Sequence, residues 1–249
     1  MSAAHSDSLV IIPTYNEIEN VERMIRTVMA LPEPFEILFV DDGSPDGTAG
    51  KIKELQNDFA GRIHLLERKG KLGLGTAYIA GFRWAIEKKY AFIFEMDCDF
   101  SHNPEDLIRL RTACSDGDAD VAIGSRYITG VNVVNWPMKR VLMSYYASAY
   151  VRMITGMNIR DTTAGFKCYR REVLETIEID KIKFMGYAFQ IEMKFTAWKC
   201  GYNLVEVPII FYDRTLGTSK MSGKIFREAI FGVIEMKVKS WFRKFPKKR

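Results

Sequence analysis

Two acids, Asp97 and Asp99, close the run Phe92-Ile93-Phe94-Glu95-Met96-Asp97-Cys98-Asp99. An apolar, aromatic segment that ends in acids reads as a buried parallel strand whose carboxyl end delivers both side chains to a cleft. Two residues apart on an extended chain, the carboxylates point the same way. A hard divalent cation with open sites would bridge them to a phosphate-bearing ligand. A lone Asp-x-Asp is common on solvated loops and says little. Here the pair follows a strand that looks buried, where charge is costly unless paired or metal-bound. A second acidic strand end lies upstream at Asp41-Asp42, and Ser101-His102-Asn103-Pro104 turns the chain into its next helix. Together these features point to a cleft along the carboxyl edge of an open α/β sheet.

The elements that must position this edge follow in order. Leu9 to Ile12 is a β-branched strand stopped by Pro13, and Val21, Met24, Ile25, Val28 and Met29 recur at helical spacing up to Pro32-Glu33-Pro34. Residues 35–40 form a second strand that ends in Asp41-Asp42-Gly43-Ser44-Pro45-Asp46-Gly47-Thr48, with a helix over 49–59 and a third strand over 63–66. This is the βαβ rhythm of a doubly wound sheet. Turn and cap chemistry competes for Asp41, Asp42 and Asp46. It suits Asp46; Asp42 is placed in the site.

The glycine-rich segment from Arg68 to Thr76 fits neither standard phosphate loop, because Thr76 directly follows Gly75 and Tyr78 holds the last glycine position of Gly-x-Gly-x-x-Gly. It reads as a cationic loop leading into a helix over 76–88, where Ala77, Ala80, Gly81 and Ala85 suit close packing. A helix over 104–115 and a strand over 119–123 lead to Gly124-Ser125-Arg126-Tyr127. Arg126 at a strand's carboxyl end is a surface ion pair of little worth or an oxyanion contact, for which its guanidinium fork is well shaped. From Trp136-Pro137 a helix carries Lys139, Arg140, Ser144 and Arg152. Asp161-Thr162-Thr163-Ala164-Gly165-Phe166-Lys167 then forms a polar corner. A helix from residue 184, a strand over 203–211 and an exposed loop with Arg214 and Gly217 to Met221 follow.

Charge and composition narrow the class. With 249 residues, 47% hydrophobic and 27% charged, the chain can bury a sizeable core and has little room for long disorder. The net charge of +5 is uneven: residues 214–249 hold eleven Lys or Arg against Glu228 and Glu235, a balance of +9, so residues 1–213 carry −4. A basic end suits anionic lipid headgroups or nucleic acid. No zinc-finger spacing, basic region with heptads or aromatic RNA-binding signature is present, so nucleic acid is not expected. In the last segment Phe226, Ile230, Val233, Ile234, Val238, Trp241 and Phe245 lie on one helical stripe interrupted by Lys237. Such a helix packs on the core or lies flat on an anionic membrane. Cys98, Cys114, Cys168 and Cys200 form no Cys-x-x-Cys, which implies a reducing compartment. Residues 1–8 lack a signal peptide's apolar core, and no apolar run reaches the ~18 residues that span a bilayer. A soluble or peripheral protein is expected. His5, His64 and His102 fall in a tail, a strand and a turn and are read as structural or surface residues.

With these residues in hand, the sequence resembles family 2 glycosyltransferases of the GT-A fold, within them the dolichol-phosphate (polyprenol-phosphate) mannose synthases of single-domain type. The resemblance rests on Pro13-Thr-Tyr-Asn-Glu17, Val40-Asp-Asp-Gly-Ser-Pro-Asp-Gly-Thr48, Gly73-Leu-Gly-Thr76 with Gly81, Met96-Asp-Cys-Asp99, Gly124-Ser-Arg-Tyr127, Asp161-Thr-Thr-Ala-Gly-Phe166 and Gly217-Thr-Ser-Lys-Met221, in family order across nearly the whole chain. It implies a Rossmann-like mixed α/β sheet flanked by helices over 1–221, with a basic amphipathic helix and tail over 222–249. It also implies inverting transfer of mannose from GDP-mannose to a polyprenyl phosphate, on the cytoplasmic face of a membrane. Pro13, Tyr15, Glu17, Val40 and Asp42 would hold the base and ribose. Asp97, Cys98 and Asp99 would meet the diphosphate, the two acids binding Mg²⁺ or Mn²⁺ with Ser101 beside the metal. Arg126, Arg140 and Ser144 would meet the lipid phosphate, and Arg214 and Lys220 would close over the donor. Cys98 stands where the family often has Ala, and Ser101 where some relatives have Gln. Membrane attachment falls to the segment from Trp136 to Met157, the terminal helix or a membrane-anchoring partner protein. Another donor such as UDP-glucose is the alternative within the class. A noncatalytic nucleotide-sugar-binding subunit is the alternative outside it, against which Asp97 and Asp99 with the later Arg and Lys argue.

Overall fold

The computed structural model describes residues 6–213 and 223–248. The apolar runs become nine strands: β1 (Ser8–Thr14), β2 (Glu36–Asp41), β3 (Ile63–Glu67), β4 (Phe92–Glu95), β5 (Val121–Ser125), β6 (Val133–Val134), β7 (Lys167–Arg170), β8 (Leu204–Pro208) and β9 (Phe211–Tyr212). Seven of them form one sheet in the order β3-β2-β1-β4-β7-β5-β8, and β6 pairs with β9 in a short parallel ribbon. β7 runs antiparallel to both β4 and β5, while all other pairs in the sheet are parallel. The carboxyl ends of β1, β2, β4 and β5 therefore share one edge, where the register sets Thr14 opposite Asp41 and Ile11 opposite Glu95.

The helices are α1 (Ile18–Met29), α2 (Thr48–Gln56), α3 (Leu74–Glu87), α4 (Asp106–Ser115), α5 (Met138–Thr155), α6 (Arg171–Thr176), α7 (Tyr187–Lys199) and α8 (Gly223–Phe242). Alternate strand residues serve two cores, as the period of two requires. Val10, Ile12, Ile37, Phe39 and Phe94 meet Met24, Ile25 and Val28 of α1, Ile52 of α2 and Leu107 of α4. Leu9, Ile11, Leu38, Val40 and Ile93 meet Tyr78 and Phe82 of α3, Leu174 of α6 and Phe189 of α7. Gly81 lets α3 lie close to β1, since a Cβ there would stand 2.7 Å from Ile11 Cγ2.

The mixed sheet is as expected, but one of its strands is new, as is β6 outside it. The segment after the polar corner was not expected to be extended, yet Lys167-Cys168-Tyr169-Arg170 fills the sheet's centre. Its opening lysine hides the pattern. Fully buried, Lys167 Nζ lies 3.0 Å from Glu95 Oε1 of β4 and donates to Gln190, whose amide donates to Glu95 at 2.7 Å. The expected strand over 203–211 is likewise divided, into β8 and β9.

α8 packs on α5 and α7, and the expected single stripe divides between two faces. Val233, Met236 and Ser240 are buried, whereas Phe231, Ile234, Val238, Trp241 and Phe242 are exposed. Lys237 interrupts the stripe because its Nζ donates to the Thr155 carbonyl (3.0 Å) that ends α5. The side chains of Phe226 and Ile230 lie outside the described residues. Beyond α8 the basic tail folds back: Phe245 packs edge-on against Phe195, the Lys248 amide donates to Cys200 O (2.8 Å), and its Nζ bonds both oxygens of buried Asp120 (2.9 and 2.7 Å). Asp120 precedes β5, at the edge opposite the acidic cleft.

Candidate active site

Past β4 the chain turns sharply and splits its side chains. Asp97 keeps 43% of its side chain exposed, Cys98 turns into the core beside Phe94 and Met96, and Asp99 is 9% exposed at the cleft wall. Phe100 adopts a left-handed φ of 58°, costly for a bulky residue and thus held by its surroundings. The bend lets the Ser101 amide donate to Asp99 Oδ1 (3.1 Å), and Ser101 itself is buried. The Asp97 amide donates to Nδ1 of His102 at 3.2 Å. Burial, helped by the Arg126 charge, pulls the His102 pKa down to about 4 against the opposing pull of Asp99. On the other side the Tyr78 hydroxyl of α3 reaches Met96 O at 3.4 Å. Burial and then the Asp97, Glu95 and Asp99 carboxylates push its pKa well up, so it remains a donor. Burial likewise pushes the Cys98 thiol up, with Glu17, Asp99 and Asp97 adding to the effect.

The donor set suits a hard cation. No group of three or more His, Cys, Asp or Glu able to hold a metal occurs among the described residues. Two carboxylates at a strand end are what Mg²⁺ or Mn²⁺ takes when substrate phosphates and water fill its remaining positions. The residues fit such an ion.

Next to this turn lie the residues expected to form the nucleotide pocket. Pro13 does not stop β1 but lies within it, opposite Val40, Tyr15 follows the strand's end, and Lys71 Nζ sits 4.9 Å over the Tyr15 ring. The Glu17 amide donates to Thr48 Oγ1 (3.0 Å), while its carboxylate accepts from the Asn20 amide (2.9 Å). Asp42 is tied to the glycine-rich loop: Arg68 Nε donates to Oδ1 (2.7 Å) and the Leu72 amide to Oδ2 (3.2 Å). Gly43, at φ +69°, permits that approach, since a Cβ there would stand 3.2 Å from Gly70 N. Asp41 binds Thr14 and Ser44, and Asp46 caps the start of α2 through the Thr48 amide, as turn chemistry predicts. Val40 has its side chain wholly in the core, so only its main chain is near the pocket.

On the other flank, Arg126 is held by Asp161 through Nε (2.7 Å) and Nη2 (2.6 Å), and Nη2 also donates to Thr163 (2.8 Å). Burial would raise the pKa of Asp161, but the Arg126 charge and hydrogen bonds outweigh it and hold the carboxyl below its usual range. Arg126 lies 5.5 Å and Arg140 4.0 Å from the Trp136 ring centre, so one indole carries two guanidiniums. Arg140 also donates to Asp213 at 2.8 Å. Ser144 follows one turn later on α5. Arg214 and Lys220 lie outside the described residues.

The carboxyl edge thus gathers Tyr15, Glu17, Asp42, Asp97, Asp99 and Ser101 on one side and Arg126, Arg140 and Ser144 on the other. Tyr78, Asp161, Arg68 and the internal place of His102 were not anticipated. Asp161 and Arg68 had signals, the polar corner and the cationic glycine-rich loop that they open.

The sequence matches the model of "Glycosyl transferase family 2" over residues 9–178. It is 49% identical over 228 residues to the polyprenol monophosphomannose synthase of Mycolicibacterium smegmatis, covering 92% of this chain and 86% of that one. It is 47% identical over 226 residues to the undecaprenyl-phosphate mannosyltransferase of Micrococcus luteus, covering 90% and 91%. Among solved structures, a mannosyltransferase from Pyrobaculum calidifontis in complex with GDP-Man and Mn²⁺ aligns with a TM-score of 0.60 at 16% identity, over 98% of this chain and 68% of that one. Glucosyl-3-phosphoglycerate synthase from Mycobacterium tuberculosis with Mn²⁺, UDP and phosphoglyceric acid aligns at 0.68 and 16%, over 94% and 79%. At that identity the structures speak for the fold, which is GT-A. By sequence and by architecture, the chain belongs to glycosyltransferase family 2.

Proposed function

We infer that the protein transfers mannose from GDP-mannose to a polyprenyl phosphate with inversion, releasing GDP and forming a β-linked mannosyl phosphate lipid. The observation that carries this is the near half identity to two lipid-phosphate mannosyltransferases, supported by Asp97 and Asp99 following β4 and Arg126 following β5 at one sheet edge, with Arg126 and Arg140 sharing the Trp136 ring. Pro13, Tyr15, Glu17 and Asp42 line the base and ribose, with Val40 and Cys98 setting the backbone beneath. Asp97 and Asp99 hold the donor's diphosphate through Mg²⁺ or Mn²⁺, with Ser101 supporting Asp99, and Arg214 and Lys220 close over it. The ion, when bound, offsets the negative charge that collects on the departing diphosphate.

The acceptor needs positioning more than deprotonation. A lipid monophosphate has its second pKa at about 6 and is mostly dianionic near neutral pH. Its oxygen forms the bond to the anomeric carbon as the bond from that carbon to the diphosphate oxygen breaks, the electron pair leaving with GDP. Arg126, Arg140 and Ser144 bring the second anion in, against the repulsion of the first. No histidine acts as base, in keeping with the buried position of His102 beneath the turn.

For the lipid, α5 and α8 pack together and leave Met138, Leu142, Tyr146, Phe231, Trp241 and Phe242 exposed. Among the described residues no helix is long and apolar enough to cross a membrane. Apolar and aromatic side chains on basic helices support peripheral attachment, with 222–249 as the attaching segment and α5 beside it. The four free, buried cysteines agree with the cytoplasmic face. The stereochemical claim is tested by incubation with GDP-mannose and a short polyprenyl phosphate, followed by one-bond carbon–proton coupling at the product's anomeric centre. A β-linkage is expected; an α-linkage overturns direct displacement.

A further inference from the structure

We propose that His102 is a positioning residue of the diphosphate-binding turn: its Nδ1 holds the Asp97 main chain and so sets the aim of the Asp97 carboxylate. The proposal rests on the function inferred above, in which Asp97 and Asp99 bind the ion. His102 is 3% exposed, so its ring is a fixed part of the cleft floor. It stacks on Phe166 (centroids 4.8 Å apart, planes at 20°) and meets Phe211 edge-on (5.4 Å, 78°). Two aromatic contacts and near-complete burial leave the ring little freedom to rotate. In that orientation Nδ1 accepts the Asp97 amide proton at 3.2 Å, which fixes the ring proton on Nε2.

The anchor matters because β4 has already ended. Glu95 is its last residue, and the Met96 amide still reaches Ile11 O at 3.2 Å, so the Asp97 amide is the first to leave the ladder. Beyond the last ladder bond the Asp97 peptide is held by an imidazole, whose Nδ1 also lies 4.0 Å from Asp97 Oδ2, so the ring meets both the main chain and the carboxylate. The same ring links the two flanks of the site. Phe211 opens β9, where the Tyr212 amide donates to Ser101 O (3.2 Å) and the Phe211 amide to Asn132 O (3.0 Å), just before β6 and Trp136. Phe211 also packs 5.2 Å from Trp136. His102 is thus wedged between the acidic turn and the strand that carries the guanidinium-bearing side. Groups that orient a metal's ligands affect its affinity by an order of magnitude or more.

Two amide substitutions separate this role from mere filling of space. Asn carries an acceptor where Nδ1 sits, and Gln carries one nearer Nε2. Mn²⁺ binding in the presence of GDP is followed by electron paramagnetic resonance for wild type, His102→Asn and His102→Gln, with GDP binding without metal and the thermal midpoint measured alongside. We expect His102→Asn to stay within about threefold of wild type and His102→Gln to lose about tenfold in Mn²⁺ affinity, with metal-free GDP binding alike in both. Equal Mn²⁺ affinities in the two variants would overturn the proposal while leaving the function intact. Failure of wild type to bind Mn²⁺ with GDP would overturn the donor-site reading, and the proposal with it. Independently of variant stability, ¹⁵N-histidine spectra of wild type are expected to show His102 unprotonated at Nδ1; a proton there would overturn the proposal.

Discussion

Arg126 enters the site already bonded, for Asp161 takes two of its guanidinium hydrogens and its main-chain amide as well. That pairing keeps a planar cation rigid at the cleft wall, but it also makes Asp161 a stability residue. Asp161→Asn leaves a buried guanidinium without its counter-charge and is expected to cost about 3 kcal/mol, read as a shift of the urea midpoint. The folded carboxyl of Asp161 lies below its ordinary value, so its contribution is present above the unfolded pKa of about 3.9 and is lost as pH falls through the lower folded value. Wild type should lose stability between pH 4 and more acid solution by more than Asp161→Asn does; parallel curves would contradict the pairing. Asp99→Ala removes a proposed ion ligand from the turn after β4, together with the bond its carboxylate accepts from the Ser101 amide, and leaves the sheet ladder untouched. It is expected to lower turnover by about 10²- to 10³-fold with the circular dichroism spectrum unchanged. The place of Asp97 and Asp99 just past a buried strand was legible from sequence, because the apolar run before them marks that strand. His102 and Tyr78 were not, since their value lies in burial beneath a turn that no local pattern encodes.

At the scale of elements, the strands and helices that carry apolar periodicity came through, and β7 did not. Its lysine closes what reads as a polar corner, and the carboxylate of Glu95, far away in sequence, makes Lys167 acceptable inside the sheet. Burial lowers the pKa of Lys167 while Glu95 raises it, and the net shift is downward. Lys167→Met strands Glu95 among apolar neighbours and is expected to cost about 3–5 kcal/mol, measured by denaturant titration. A cost under about 1 kcal/mol would mean that Gln190 and Tyr169 satisfy Glu95 alone. The terminal helix shows the converse limit. Its spacing established an amphipathic element, but two apolar faces with one interrupting lysine cannot be sorted into core and surface until α5 is placed beside it.

For the whole molecule, the charge asymmetry between residues 1–213 and 214–249 does not translate into a free basic tail. Lys248 is pinned to Asp120 at the edge of the sheet away from the cleft, so α8 is anchored at its far end. Lys248→Ala should cost about 1 kcal/mol of stability and leave binding to anionic vesicles nearly unchanged. Replacing exposed Trp241 and Phe242 together by Ala should weaken vesicle binding by at least about tenfold, because burying each ring in the headgroup region would contribute ~1.5–3 kcal/mol. Co-sedimentation with phosphatidylglycerol vesicles reads both, and the opposite ranking would move attachment to the tail.

The most direct test of the central claim is transfer of labelled sugar from GDP-mannose, and in parallel UDP-glucose, to a short polyprenyl phosphate, with and without Mn²⁺. The account predicts product from GDP-mannose alone, and only with the metal. Product from UDP-glucose alone, or from GDP-mannose at equal rate after chelation, would contradict it.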